Sequence, residues 1–227
     1  MSTKQTQIRN VTVRANARLH LGFFDLNGEL GRKFGSLGVA LAEPVTQLTA
    51  TKASDIHVVG AESQRAETVI KQLIHARQLP LSYGASVNIQ QAIPAHAGLG
   101  SGTQLALAVG MAFSALYDLN LTLVEIAGIT SRGARSGIGI GTFLHGGVIV
   151  DGGRGDKTLI PPVIAHANFP TEWRIILIHD ASHQGLCGKH EQHAFNQLKP
   201  AMVEVSETLC RHVLMQALPA LAEKDLP

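Results

Sequence analysis

Between Gln91 and Leu116 one stretch limits what this chain can fold into. Ala85 to Gln90 alternates apolar and polar side chains, with Val87 and Ile89 on one face, which is strand periodicity. The loop Pro94-Ala95-His96-Ala97-Gly98-Leu99-Gly100-Ser101-Gly102-Thr103 follows, and from Ser101 to about Leu116 the composition is that of an apolar helix. A helix apolar on most sides has to be buried against other elements. The loop's glycines permit positive φ and close approach of a ligand to the backbone. The first amides of the helix have no partner inside it and lie at the positive end of its dipole. A strand, a glycine loop and a helix start in this order make an anion site suited to phosphate or diphosphate, in which Gly98, Leu99, Gly100, Ser101, Gly102 and Thr103 would bind through amides and hydroxyls. The loop lacks the Gly-Lys-Ser/Thr of a Walker A loop and the third glycine of a dinucleotide fingerprint. On spacing alone, a glycine turn with a serine helix cap accounts for it equally well.

The rest of the chain supplies layers to bury that helix. Strands are expected at Ile8–Ala15, Arg18–Phe24, Leu37–Leu41, Val45–Thr51 and Ile56–Val59, with a turn at Glu43-Pro44. Gln64–Gln78 reads as an amphipathic helix, and Thr122 as the N-cap of another that runs to about Ser131. Asp25–Ser36 carries Gly28, Gly31 and Gly35 among four charges and reads as a loop. Ile138–Asp151 is glycine-rich and becomes strand-like at Gly147–Val150. Trp173–His179 reads as a buried strand, and Glu191–Leu218 begins a long helical stretch broken by Pro200. Strands and helices mix without strict alternation, which is the α+β pattern.

Of the 227 residues, 45% are apolar and 16% charged, which suits a packed core and not a disordered chain. Formal net charge is +2, with no basic run interleaved with aromatics, so nucleic-acid binding has no electrostatic footprint. No stretch of roughly 18 apolar residues marks a membrane span, and Met1–Asn10 has no signal core. Cys187 and Cys210 read as free thiols of a reducing compartment, so a soluble cytoplasmic protein is expected.

PxxxGLGSG at 94–102, opening an apolar helix, resembles the phosphate loop of the GHMP kinases. Ala17-Arg18-Leu19-His20-Leu21-Gly22 resembles that superfamily's first motif, and Ser136–Gly147 (SGIGIGTFLHGG) its third. The resemblance implies a GHMP-kinase-like fold, related to domain 2 of ribosomal protein S5. Residues 1–170 would form the N-terminal domain and 171–227 the start of a C-terminal α/β domain, apparently truncated. Many such kinases carry a catalytic Asp at the position of Gly139, and glycine cannot accept a proton.

Ala17–Leu41, GLGSGTQL at 98–105 and Ser131–Gly153 are more similar to β-ribofuranosylaminobenzene 5′-phosphate synthases. That resemblance implies joining 5-phosphoribosyl 1-diphosphate to 4-aminobenzoate or 4-hydroxybenzoate, with loss of CO2 and diphosphate, in tetrahydromethanopterin biosynthesis. Mg²⁺ would accompany the diphosphate. Asp25 would orient the acceptor's amino or hydroxyl group or balance the ribosyl cation. Arg32 would clamp the benzoate carboxylate or the diphosphate. A turn-forming aspartate and a solvated arginine are the plain alternatives. Arg18, His20 and His96 lie inside matched motifs and rank as further substrate contacts; Arg132 and Arg135 are possible phosphate ligands or merely a charged helix end. His179, His183, His190 and His193 cluster with Asp180 and Glu191 but lack a recognised metal-ligand spacing, so no metal ligands are assigned. Small-molecule substrates are the expected partners, with a homodimer as a candidate assembly. An ATP-dependent small-molecule kinase and a non-catalytic fragment that binds a phosphorylated ligand are the competing functions.

Overall fold

The computed structural model describes residues 10–29, 31–80, 82–178, 197 and 202–225. Its frame is a long antiparallel pair, β1 (Val11–Asp25) and β2 (Phe34–Ala53). Each absorbs two of the shorter strands expected from the sequence. Arg18–Phe24 continues β1 past a break in register between Asn16 and Arg18, and β2 runs straight through Glu43-Pro44. The expected turn is a local irregularity instead, because β1 pairs with β2 on both sides of it and holds the strand's direction.

The other edge of β2 is shared. Its C-terminal half pairs with β4 (Gly84–Gln91), which pairs in parallel with β3 (Ile56–Gly60). Its N-terminal half pairs with β5 (Val148–Asp151), which pairs with β6 (Val163–Ala167). The parallel β3–β4 pair is bridged by α1 (Ser63–Ala76), whose apolar face buries Ala66, Val69, Ile70 and Leu73. A crossover of this kind is what parallel neighbours require.

Helix α2 (Ser101–Leu116) lies at the centre. It packs against β1, β2, α1, α3 (Leu123–Ile129) and α4 (Ile138–His145), and most of its residues are buried. Leu107, Phe113 and Leu116 join Leu48, Ile70, Leu73 and Ile126 in one core. Removing each such side chain from water contributes about 1.5–3 kcal/mol. A second, smaller cluster of Ala17, Leu41, Ile93 and Leu99 sits beside the loop that leads into α2.

Two elements depart from expectation. Ile138–His145, read only as glycine-rich, is helical: Ser136 and Asp151 close its first turn, and packing overrides the low propensity of Gly139 and Gly141. Trp173–Ile178 is not a strand. These residues have no strand neighbour among the described residues, and Ile176 and Ile178 are 84% and 92% exposed. The long helical stretch expected to begin at Glu191–Leu218 continues to Glu223, as α5 (Val203–His212), a π-helical turn over Val213–Ala217, and α6 (Leu218–Glu223). Its earlier part, and the histidine cluster at 179–193, lie outside the described residues. Among the described residues no helix is long and apolar enough to cross a membrane.

Candidate active site

The start of α2 is built from two anchors. Leu99 is buried with Ala17, Leu41 and Ile93, so its side chain is a peg and only its backbone faces the loop. Arg18, beside the register break in β1, donates its amide to the Leu99 carbonyl (3.0 Å) and its Nη1 to the Gly98 carbonyl (2.7 Å). His96, Gly98 and Gly100 take positive φ (60°, 73° and 79°), and Gly100 caps the helix in the left-handed conformation with no side-chain cap. A Cβ on Gly100 would meet the Arg18 side chain at 3.1 Å. The glycine is required there by both its φ and its neighbour.

This geometry leaves donors open. The Thr103 and Gln104 amides donate to the Gly100 carbonyl at 3.1 Å each. The Ser101 and Gly102 amides, and the Ser101 and Thr103 hydroxyls, have no partner among the described residues. Ser101, Gly102 and Thr103 are half-buried and not covered. The loop at 98–103 thus ends in open donors at Ser101, Gly102 and Thr103.

Arginines surround it. Arg18 lies over Gly100, and the Arg132 guanidinium lies 3.3 Å from where a Gly102 Cβ would stand. Burial first, and the charge of Arg65 second, hold the Arg132 pKa below its ordinary value. Arg65, on α1, pairs with Glu62 at 2.9 Å and stands 3.4 Å from His96 Nε2. Arg65 carries no sequence signal, because an arginine on the open face of an amphipathic helix looks like any solvated charge.

Beside Thr103 stands Gly139, the position at which the resemblance to kinases would place an aspartate. Its Cβ position lies 2.9 Å from Thr103 Cγ2, so Thr103 fills the space a side chain at 139 would enter. The buried Gln104 reinforces this contact by donating to the Gly139 carbonyl at 2.8 Å. Asp151, a residue without a sequence signal, fixes α4 in place: fully buried, it accepts from Ser36, Ser136 and the amides of Gly137 and Gly153.

The remaining predicted residues sit elsewhere. Asp25 ends β1, about 20 Å along the strand from Arg18 at the usual rise per residue. Its Oδ1 accepts from the amides of Asn27 (2.9 Å) and Gly28 (2.7 Å). Arg32 donates to the carbonyls of Gly152 and Gly153 and so fastens its loop to the turn after β5. His20 packs on Phe23 with ring centroids 4.4 Å apart. His96 is exposed at the rim of the cradle. Among the described residues no three His, Cys, Asp or Glu side chains gather into a metal site.

An apolar groove of about 850 Å³ opens on the other side of the loop's anchor. It is walled by Leu37, Val39, Phe169, Trp173 and Met215, and by Leu19, which also packs on the Leu99 cluster.

The β1–β2 frame, the buried central helix and the open glycine cradle define the GHMP-kinase fold, and residues 64–147 match the family model of the GHMP kinases N terminal domain. Mevalonate kinase of L. major superposes with a TM-score of 0.63 at 18% identity, over 99% of this chain and 73% of that one, which speaks for the fold alone. The β-ribofuranosylphenol 5′-phosphate synthase of Archaeoglobus fulgidus is 38% identical over 94% of this chain and 71% of that protein. The enzyme of the same name from Methanocaldococcus jannaschii is 34% identical over 94% and 73%. Within the GHMP superfamily, the chain belongs to the family of β-ribofuranosylphenol 5′-phosphate synthases.

Proposed function

We propose that this chain condenses 5-phosphoribosyl 1-diphosphate with a 4-substituted benzoate, releasing diphosphate and CO2. The phenol in the relatives' name favours 4-hydroxybenzoate over 4-aminobenzoate as acceptor. The observation that carries the proposal is the cradle itself: open amides and hydroxyls at 101–103 beside Arg18, facing a glycine at 139. A transferase that expels diphosphate needs preorganised donors for the leaving group. A kinase with an aspartate base needs a carboxylate where this chain has Gly139.

In the reaction the ring carbon bearing the carboxylate attacks ribose C1 as the bond from C1 to the diphosphate oxygen breaks. The bonding pair leaves with diphosphate. Loss of CO2 returns the carboxyl bond's electrons to the ring and restores its aromaticity. The amides of Ser101 and Gly102 and the guanidinium of Arg18 receive the charge that grows on the leaving oxygens. Mg²⁺ fits as a companion of the diphosphate, because the cradle offers the Ser101 and Thr103 hydroxyls but no carboxylate; when bound it would draw charge from the leaving group. The apolar groove next to Leu19 suits the acceptor ring, with Phe169 and Trp173 as aromatic walls.

The test is incubation with phosphoribosyl diphosphate, Mg²⁺ and carboxyl-labelled 4-hydroxybenzoate or 4-aminobenzoate. Labelled CO2 is expected, more of it from the hydroxy acid. ATP turnover without CO2 release would overturn the proposal in favour of a kinase.

A further inference from the structure

Beside Gly102, which lines it, a cavity of about 120 Å³ lies between α1, the first turns of α2 and the end of α3. Its floor is Val69, Leu105 and Ala106, and its polar wall is Arg65, Thr68, Gln72, Thr130 and Arg132. Thr130 has turned its hydroxyl back to the Ile126 carbonyl (2.7 Å), and Thr68 to the Gln64 carbonyl (2.8 Å). Gln72 and the guanidinium of Arg132 have no hydrogen-bond or ion-pair partner among the described residues. The carboxylate of Glu62 is engaged with Arg65 and leaves Arg132 uncompensated.

Two guanidiniums and a carboxamide around a small, apolar-floored cavity are poorly matched to a flat aromatic base. They match a compact tetrahedral oxyanion, which an arginine fork binds through parallel N–H donors. The lowered pKa of Arg132 agrees with a cation short of a counter-charge.

We propose that the Arg65–Arg132 cavity is a second anion subsite that takes a phosphate monoester, adjoining the diphosphate cradle at Ser101–Thr103 across Gly102. The inference rests on the proposed function in one respect: a phosphoribosyl diphosphate carries both a diphosphate and a monoester, and the two subsites flank one glycine. The cavity then sets specificity, since a substrate with diphosphate but no monoester fills only half of the site. Arg132 is a binding residue here and takes no part in bond breaking.

Calorimetric titration with ribose 5-phosphate and, separately, with inorganic pyrophosphate distinguishes the two subsites. Ribose 5-phosphate is expected to bind the unaltered protein and the Gly100→Val variant alike. It should lose about 10- to 100-fold in affinity in Arg132→Ala and in Arg65→Ala, the range for removing one hydrogen-bonded charge. Pyrophosphate should show the reverse order: lost in Gly100→Val and weakened clearly less than ribose 5-phosphate in Arg132→Ala, whose guanidinium stands beside Gly102 but is not one of the Ser101–Thr103 donors. Arg132→Lys keeps the charge without the fork and should fall between the two. Ribose 5-phosphate affinity that is absent, or unchanged in both arginine variants, overturns the subsite and leaves the cradle standing. Equal losses of both ligands in Arg132→Ala also overturn it, by making Arg132 part of the diphosphate site. Pyrophosphate binding absent from a protein that still binds ribose 5-phosphate through Arg132 overturns the cradle and leaves the subsite.

Discussion

Two helices of this molecule begin close together in the chain and are finished in opposite ways. Helix α3 starts at Thr122, whose hydroxyl accepts from the Glu125 amide while the Glu125 carboxylate takes the Thr122 amide and hydroxyl. Its end is closed by its own sequence. Helix α2 starts at Gly100, has no capping side chain and no acid in its first turn, and is approached by Arg18 and Arg132. The residue that matches Glu125 in position is Thr103. Helix α3 satisfies its first amides with its own sequence, whereas α2 holds the core along its length and leaves the amides of Ser101 and Gly102 open.

The largest effect should come from closing α2 by force. Gly100→Val puts a branched side chain at φ 79° and against Arg18, and should weaken pyrophosphate binding at least about 100-fold by calorimetry, the equivalent of two charged hydrogen bonds. Binding that survives would mean the open amides are incidental. Thr103→Asp places a carboxylate on α2 at the position that Glu125 holds on α3. A carboxylate at that position competes for the amides and repels diphosphate, with an expected loss of about 100-fold. The same charge favours the helix dipole, so thermal stability should hold or rise by about 0.3–1 kcal/mol. A variant that binds normally would erase the distinction between the two helix starts.

The loop at Asp25 belongs with α3 on the closed side. Its carboxylate caps Asn27 and Gly28, and Arg32 ties it to Gly152 and Gly153. Asp25→Ala strands two amides and should cost about 1–3 kcal/mol in a denaturant melt, with Arg32→Ala in the same range. Both should leave pyrophosphate affinity within about threefold, because neither residue touches the cradle, while turnover tests whether they also serve the acceptor as the family resemblance implies.

This contrast also shows what was readable in advance. The strand, glycine loop and helix start at 84–116 were legible because glycine spacing before an apolar run is a local signal, and the Thr122 cap because capping boxes are local. The merger of the short strands into β1 and β2 was not, since only long-range pairing carries β2 through Pro44. The helicity of 138–145 was hidden by its glycines, and what secures it, Asp151, is distant in sequence from Ser36, to which it binds. Arg65 and Arg132 could not be paired without the fold, which brings α1 alongside the end of α3. The GHMP family itself was legible, because its motifs are backbone-driven and survive as spacing.

The smallest effects lie in the closed cap. Thr122→Ala should cost about 1 kcal/mol by thermal melt, the usual value of a lost N-cap, with pyrophosphate affinity unchanged. The pH dependence gives a finer test. Hydrogen bonds from the Thr122 amide and then its hydroxyl hold the Glu125 pKa below the ordinary carboxylate value. A carboxylate with a folded pKa below its unfolded one adds stability above the unfolded value and loses it as pH falls through the folded one. The melting temperature of the unaltered protein should therefore fall more steeply below about pH 4.5 than that of Glu125→Gln, by a small margin because Glu125 is exposed. Equal slopes would mean that the carboxylate adds nothing to the Thr122 hydroxyl, and α3 would then be closed by one side chain and not by a reciprocal pair.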